Sequence, residues 1–362
     1  MKKGVEYGND PAEGTPISPT LFAGISETAK LASWRWSGFL PSLFGFVAPS
    51  WFNDSFRYAW SRYDGQLNAW EAAGYRHITV VLNCSHPVFC APTYLAPGAS
   101  RPSSVASMPP KNATAWAELD RWVRALLRRY RGRIAIVECE SEWQNPYWWA
   151  GSLDDYLAWL RLLRRAIQDV SPEVKLCLGG HTLNGLVDDA PDSVTIEARI
   201  ASLPEPLRST MRRAIDIGTK ALGTGEFDVV EYHSLGQPSG IVPAIELTRA
   251  CLPPNWTGEI WIGDALPGVP VNPDPFTWTQ GQPDIARALS INDPVAIATL
   301  EQRQISTTRA KIQAALEAGC AGIHFGPLYD WQTLQPTTAL PWQGLTRPDG
   351  TLRPVCAVIR NA

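Results

Sequence analysis

Eight short apolar runs, most of them followed by a segment of helical periodicity, constrain this chain more than any other feature. The runs are Gly4–Gly8, Leu31–Ser37, His77–Asn83, Ile134–Cys139, Val174–Leu178, Phe227–His233, Glu259–Asp264 and Gly322–Phe325. Their length and β-branched content predict buried strands. Between them, apolar residues recur at helical spacing. Phe56, Trp60, Tyr63, Leu67 and Trp70 form one stripe. Trp116, Leu119, Val123, Leu126, Leu127 and Tyr130 form the next, and Tyr156, Trp159, Leu160, Leu163 and Ile167 a third. Further helices are expected near 205–221, from Ala244 to Cys251, through Ile305, Thr308, Ile312, Ala315 and Leu316, and at Cys356–Ile359. Asn112 or Thr114 is placed to cap the second stripe, Ser152 with Asp154 and Asp155 the third, and Gly74 stops the first. Strands alternating with helices imply a parallel sheet. Eight such units without an internal linker predict an α/β fold: one (β/α)8 TIM barrel over residues 1–362, with long βα loops, rather than an open doubly wound sheet.

Composition narrows the function classes. The formal net charge is only −3, so neither a nucleic acid nor a membrane surface is an expected partner. No GxGxxG or P-loop pattern follows a strand, and no cofactor is expected. The seven cysteines are odd in number, scattered and mostly in apolar runs, with no CxxC or His/Cys cluster of metal-ligand spacing. This pattern suits a reducing compartment. Met1-Lys2-Lys3 is not followed by an apolar stretch, so no signal peptide is visible and a cytoplasmic location is expected. Sixteen tryptophans are more than packing usually requires, and their flat apolar faces suit sugar rings as well as cores.

In barrels of this kind the chemistry sits where the strands end. The fourth run, Ile134-Ala-Ile-Val-Glu-Cys-Glu-Ser-Glu-Trp-Gln-Asn145, carries Glu138, Glu140 and Glu142 two residues apart. On an ideal strand that spacing puts all three on one face. Ser141 and Glu142 both line a site only if a bulge breaks the alternation. The second strand carries Arg35, and the third ends near His86. The fifth ends in His181, the sixth in His233, the seventh in Asp264, and the eighth leads to Tyr329-Asp330-Trp331. Glu142 and Asp264 therefore stand on roughly opposite walls. Two opposed carboxylates are what acetal cleavage needs: one protonates the leaving oxygen and the other supports an oxocarbenium-like centre. Aromatic neighbours such as Trp143 are placed to raise the acid's pKa by desolvation. A metal used by the same carboxylates is the competing chemistry.

These residues resemble clan A of the retaining (β/α)8 glycoside hydrolases, which holds family 39 xylosidases and family 5 cellulases. Val137-Glu-Cys-Glu-Ser-Glu-Trp-Gln144 occupies the frame of that clan's Trp-Glu-x-x-Asn-Glu-Pro-Asn motif. The Trp-Ala-Gly-Ser-Leu-Asp-Asp-Tyr stretch ending at Tyr156, and Ser-Pro-Glu-Val-Lys-Leu before Gly179-Gly180, resemble family 39. The resemblance implies Glu142 as acid/base and Glu138 as the glutamate four residues before it. It implies Trp261-Ile-Gly-Asp264 as the nucleophile strand, Arg35 as the arginine that holds the nucleophile, and His233 as the sixth-strand histidine. His86, His181, Ser141, Tyr329 and Trp331 are the expected substrate contacts, and the expected partner is a carbohydrate, bound without a metal. Three positions depart from the pattern: Ser141 stands for Asn, Trp143 for Pro and Asp264 for Glu. The Asp loses one methylene, roughly 1.5 Å of reach. A retaining pair works at about 5–5.5 Å and an inverting pair at about 6.5–9.5 Å.

Overall fold

The computed structural model of the chain describes residues 1–7, 22–25, 27–35, 60–86, 89–90, 107–145, 148–181, 193–268, 283–330, 342–347 and 349–362. Eight parallel strands close into a barrel in sequence order. They are β1 (Lys2–Tyr7), β2 (Thr28–Arg35), β3 (His77–Asn83), β4 (Ile136–Cys139), β5 (Lys175–His181), β6 (Val229–His233), β7 (Glu259–Ala265) and β8 (Gly322–Phe325). The barrel closes between β1 and β8, with Gly4 opposite His324. Around it lie α1 (Ser61–Ala72), α2 (Ala113–Arg129), α3 (Leu153–Val170), α4 (Ser193–Ser202), α5 (Leu207–Leu222), α6 (Ile241–Cys251), α7 (Pro283–Ser290), α8 (Pro294–Glu317) and α9 (Val355–Asn361). The expected (β/α)8 barrel is therefore present.

The helices start where the caps predicted. Asn112 accepts from the Ala115 N–H, and Ser152 forms a reciprocal capping box with Asp155. Strand alternation divides the side chains into two sets. Ala29 and Leu31, Val137 and Cys139, Val230 and Tyr232, and Ile260 and Ile262 point outward into one large core beneath the helices. Ile136, Cys177, Val229 and Trp261 point inward and form a separate apolar plug. Trp261 closes the bottom of the barrel, stacked between His77 (centroids 5.2 Å apart) and His324 (5.3 Å).

Some expectations are corrected. β2 begins at Thr28, three residues earlier than the apolar run, because its inward residues Thr28 and Lys30 are polar while its outward ones are apolar. α4 and α7 are helices beyond those expected from the spacing. Leu316, counted in the stripe of α8, is half exposed. Among the described residues, no helix is long and apolar enough to cross a membrane.

Candidate active site

The three glutamates of the fourth strand part company. Only Glu138 keeps strand geometry and points to the barrel axis. β4 stops at Cys139, and Glu140 (φ 59°) and Glu142 (φ 47°) take left-handed backbones. They are therefore not on one face, as an unbroken strand would require. Glu140 turns sideways and accepts hydrogen bonds from Asn83 Nδ2 (2.5 Å), the Cys84 N–H (2.8 Å) and Ser107 Oγ (3.0 Å). It ties β4 to the loop after β3. Glu142 turns over the mouth, its N–H donating to the Gly180 carbonyl at 2.8 Å.

On β7 the same device recurs. Strict alternation would send Asp264 outward after the inward Gly263. Its φ of 46°, and the register shift between Ile262 and Ala265, bring its carboxylate to the mouth instead. Left-handed backbone at non-glycine residues is uncommon and strained, and it gathers at functional sites. Three of the four such residues described here are these carboxylates.

Both mouth carboxylates meet His233. Its Nδ1 lies 3.0 Å from Glu142 Oε1 and 3.7 Å from Asp264 Oδ2, and one ring nitrogen or carboxylate oxygen of each of the three residues lies within 4.8 Å of the other two. The His233 side chain is buried, whereas Glu142 and Asp264 keep 14% and 34% exposure, enough to be reached from the mouth. Burial alone would depress the His233 pKa, but the hydrogen bond to Glu142 and the Glu231 carboxylate 3.6 Å from its other ring nitrogen outweigh it and hold the imidazolium well above its ordinary range. Asp264 is pushed up by burial, against the pull of His233 and with a further push from Glu142.

Beneath the mouth lies a charged layer that the sequence reading largely missed. Lys30 Nζ is 2.6 Å from Glu231 Oε2, 3.2 Å from Glu138 Oε2 and 3.8 Å from Glu6 Oε1, and all four side chains are buried. Burial raises Glu6 and Glu138 to about 8, with Asp264 and Glu231 respectively adding to the push. Burial opposes charge on Lys30, but Glu138, Glu231 and Glu6 together hold it well above the usual lysine range. The one signal for this layer was the shared strand parity of Glu231 and His233. The cation beside Glu138 is Lys30. Lys30 and Glu6 look like ordinary edge polarity in the sequence.

The remaining expected residues divide. Ser141 sits half-buried between Glu140 and Glu142. His86 is buried just beyond β3 beside Phe89, and burial lowers its pKa to about 4. His181 is not brought to the mouth. A register shift on β5 turns it outward, where its ring meets Thr248 Oγ1 of α6 at 3.1 Å. Tyr329 packs edge-on against Phe22, and its neighbour Asp330 is bound by Arg353 at 2.8 Å. Trp143 stacks on Tyr156 of α3 at 3.8 Å, so its ring belongs to the core. Trp149 is buried, and Trp148 beside it is 38% exposed. The side chain of Arg35 and all of Trp331 lie outside the described residues.

Among the described residues, two groups have the donors for a metal: Glu138, Glu231 and His233, and Glu142, His233 and Asp264. The first is already occupied by the Lys30 ammonium, 3.2 and 2.6 Å from its two carboxylates. In the second, the imidazole is held protonated by its carboxylate partners, which opposes metal ligation.

No protein-family model and no curated protein matches the sequence. Solved structures share the fold. A family 39 glycoside hydrolase from the gut symbiont Bacteroides cellulosilyticus is 13% identical, over 99% of this chain and 62% of that one, with a TM-score of 0.59. A family 39 enzyme from Xanthomonas axonopodis pv. citri is 13% identical, over 99% of this chain and 65% of that one, with a TM-score of 0.54. A family 10 endoxylanase from a sugarcane soil metagenome is 11% identical, over 100% of this chain and 96% of that one, with a TM-score of 0.55. This chain thus spans less than two thirds of the two family 39 proteins. The likeness is one of fold, the same (β/α)8 barrel as in these glycoside hydrolases.

Proposed function

We propose that this protein hydrolyses a glycosidic bond of an oligo- or polysaccharide through Glu142 and Asp264. The observation that carries the reading is their convergence: carboxylate oxygens of the two residues lie within 4.8 Å of each other across the barrel mouth. That separation belongs with a retaining pair rather than an inverting one, which must leave room for water. Asp264 would attack the anomeric carbon while Glu142 protonates the leaving oxygen. Water activated by Glu142 would then release the sugar. His233 serves both partners. Its Nδ1 orients the Glu142 carboxyl, and its positive charge favours ionised Asp264. Ser141 and His86 would contact the sugar, Tyr329 would support the loop after β8, and Trp148 offers an exposed ring face beside the acid's loop. Arg35 and Trp331 keep the proposed roles of steadying Asp264 and stacking on sugar.

A second reading is a barrel that binds carbohydrate without cleaving it. Asp264 in place of Glu and Ser141 in place of Asn favour it. Hydrolysis of a panel of aryl β-glycosides and oligosaccharides by wild type, Glu142→Gln and Asp264→Asn decides between them. Cleavage lost by orders of magnitude in both variants, with product of unchanged anomeric configuration by NMR, supports the retaining enzyme. Saccharide binding by calorimetry, with no cleavage of any substrate, supports the second reading. Cleavage that survives Asp264→Asn removes Asp264 from the mechanism.

A further inference from the structure

The inside of a (β/α)8 barrel is normally filled by branched apolar side chains. Here the bottom obeys that rule, with Ile136, Cys177, Val229 and Trp261, and the layer above it does not. That layer holds one ammonium among three glutamate carboxyl groups from three different strands: Glu6 of β1, Glu138 of β4 and Glu231 of β6. Burying so many ionisable groups is costly unless each is paired, and an apolar filling of the same volume is often as stable. The layer therefore calls for a reason beyond stability.

The way each glutamate divides its two oxygens supplies one. Glu6 turns Oε1 to Lys30, while its Oε2 accepts the Asp264 N–H at 2.7 Å. Glu138 turns Oε2 to Lys30, while its Oε1 accepts the Gly180 N–H at 3.0 Å, and the Gly180 carbonyl in turn accepts the Glu142 N–H at 2.8 Å. Glu231 turns Oε2 to Lys30 and to His233 Nε2, 3.6 Å away, and the other ring nitrogen of His233 faces both mouth carboxylates. Three spokes leave one buried cation, and each ends on Glu142, Asp264 or both. Both residues at their ends have left-handed backbones, which need a surrounding structure to hold them.

We propose that Lys30 is the positioning residue of this site: its ammonium ties Glu6, Glu138 and Glu231 together beneath the mouth and through them sets where Glu142 and Asp264 stand. The proposal rests on the glycosidase reading only for its effect on rate. The geometric part stands without it.

The test is a crystal structure and a kinetic profile of Lys30→Met, which keeps the length of the chain and removes the charge. Expected are a folded barrel and displacement of the Glu142–Asp264 pair by about 1 Å, with loss of the Glu6 bond to the Asp264 N–H. A misplacement of that size predicts a kcat fall on the order of 100-fold, with KM nearly unchanged and a displaced pH–rate profile. An unmoved pair overturns the proposal whatever the rate does, and so does a moved pair with wild-type kcat. Should Lys30→Met fail to fold, Lys30→Met/Glu138→Gln is judged by the same criteria. It removes one charge of each sign and keeps an oxygen for the Gly180 N–H. If neither variant folds, Lys30 holds the fold rather than the pair, and the proposal fails. If wild type cleaves no saccharide, the functional reading fails, and the position of the pair in the variant alone decides this one.

Discussion

A Cβ atom on Gly180 would stand 1.7 Å from Nε2 of His233. The histidine thus occupies the space that a side chain at position 180 would need, and strand β5 bends past it with a register shift. Gly180→Ala is expected to expel the imidazole or push the strand outward, at a cost of about 1–3 kcal/mol as for other overpacked cores. Urea unfolding measures that cost. An alanine variant with wild-type stability and an unmoved His233 would show that the strand yields freely.

Asp264→Glu restores the residue type of the resembling clan, yet it is expected to lower the rate. Asp tolerates a left-handed backbone better than Glu does. An added methylene would also drive the carboxylate towards Glu142, already within 4.8 Å. A loss of at least about tenfold in kcat, equivalent to 1.36 kcal/mol, is the expected result. A variant that equals or exceeds wild type would mean that the site accommodates the longer acid.

Trp143 follows the proposed acid directly, but its ring is a packing element. It stacks on Tyr156 with centroids 3.8 Å apart and planes 10° from parallel. Trp143→Ala is expected to cost about 3–5 kcal/mol, in the range of large aromatic truncations. Trp143→Phe should keep the stacking and leave the acidic and basic limbs of the pH–rate profile in place. A displaced acidic limb in the Phe variant would instead favour a direct role in desolvating Glu142.

Burial lowers both His86 and His181 from 6.5 to about 4. For a base whose pKa falls on folding, the stabilisation is complete above the unfolded value and disappears as pH falls from 6.5 towards 4. Each shift is equivalent to about 3 kcal/mol at most. Glu6 and Glu138, raised by burial to about 8, act in the opposite sense as pH rises from 4.5 to 8. The comparison is therefore between wild type and His181→Asn, by chemical unfolding at pH 7 and pH 5. The variant should lose less stability between the two, and equal losses would mean that His181 is protonated in the fold.

How much was legible follows from where each signal lies. The outward faces of the strands are apolar and the helices carry matching stripes, so the barrel, the capping box at Ser152 and the ends of β3 and β8 are written in local periodicity. Glu142, Asp264 and His233 were legible as residues that follow or end strands. His181 obeyed the same rule and still faces away, because one register shift on β5 reverses which side its ring takes. Lys30 was invisible. Lys30 precedes the apolar run that begins at Leu31, outside the expected strand, and only the start of β2 at Thr28 and closure of the barrel place it on the inside.

By itself, then, the sequence determined the number and order of the strands and the stripes of the main helices, though not α4 or α7, since helix and strand periods are properties of neighbouring residues. The tertiary structure alone decided the spacing of the two carboxylates, the identity of the cation beneath them and the direction of each strand-end side chain. Those depend on φ at Glu140, Glu142 and Asp264 and on contacts between residues as much as 258 positions apart, such as Asp264 and Glu6, which no local pattern encodes.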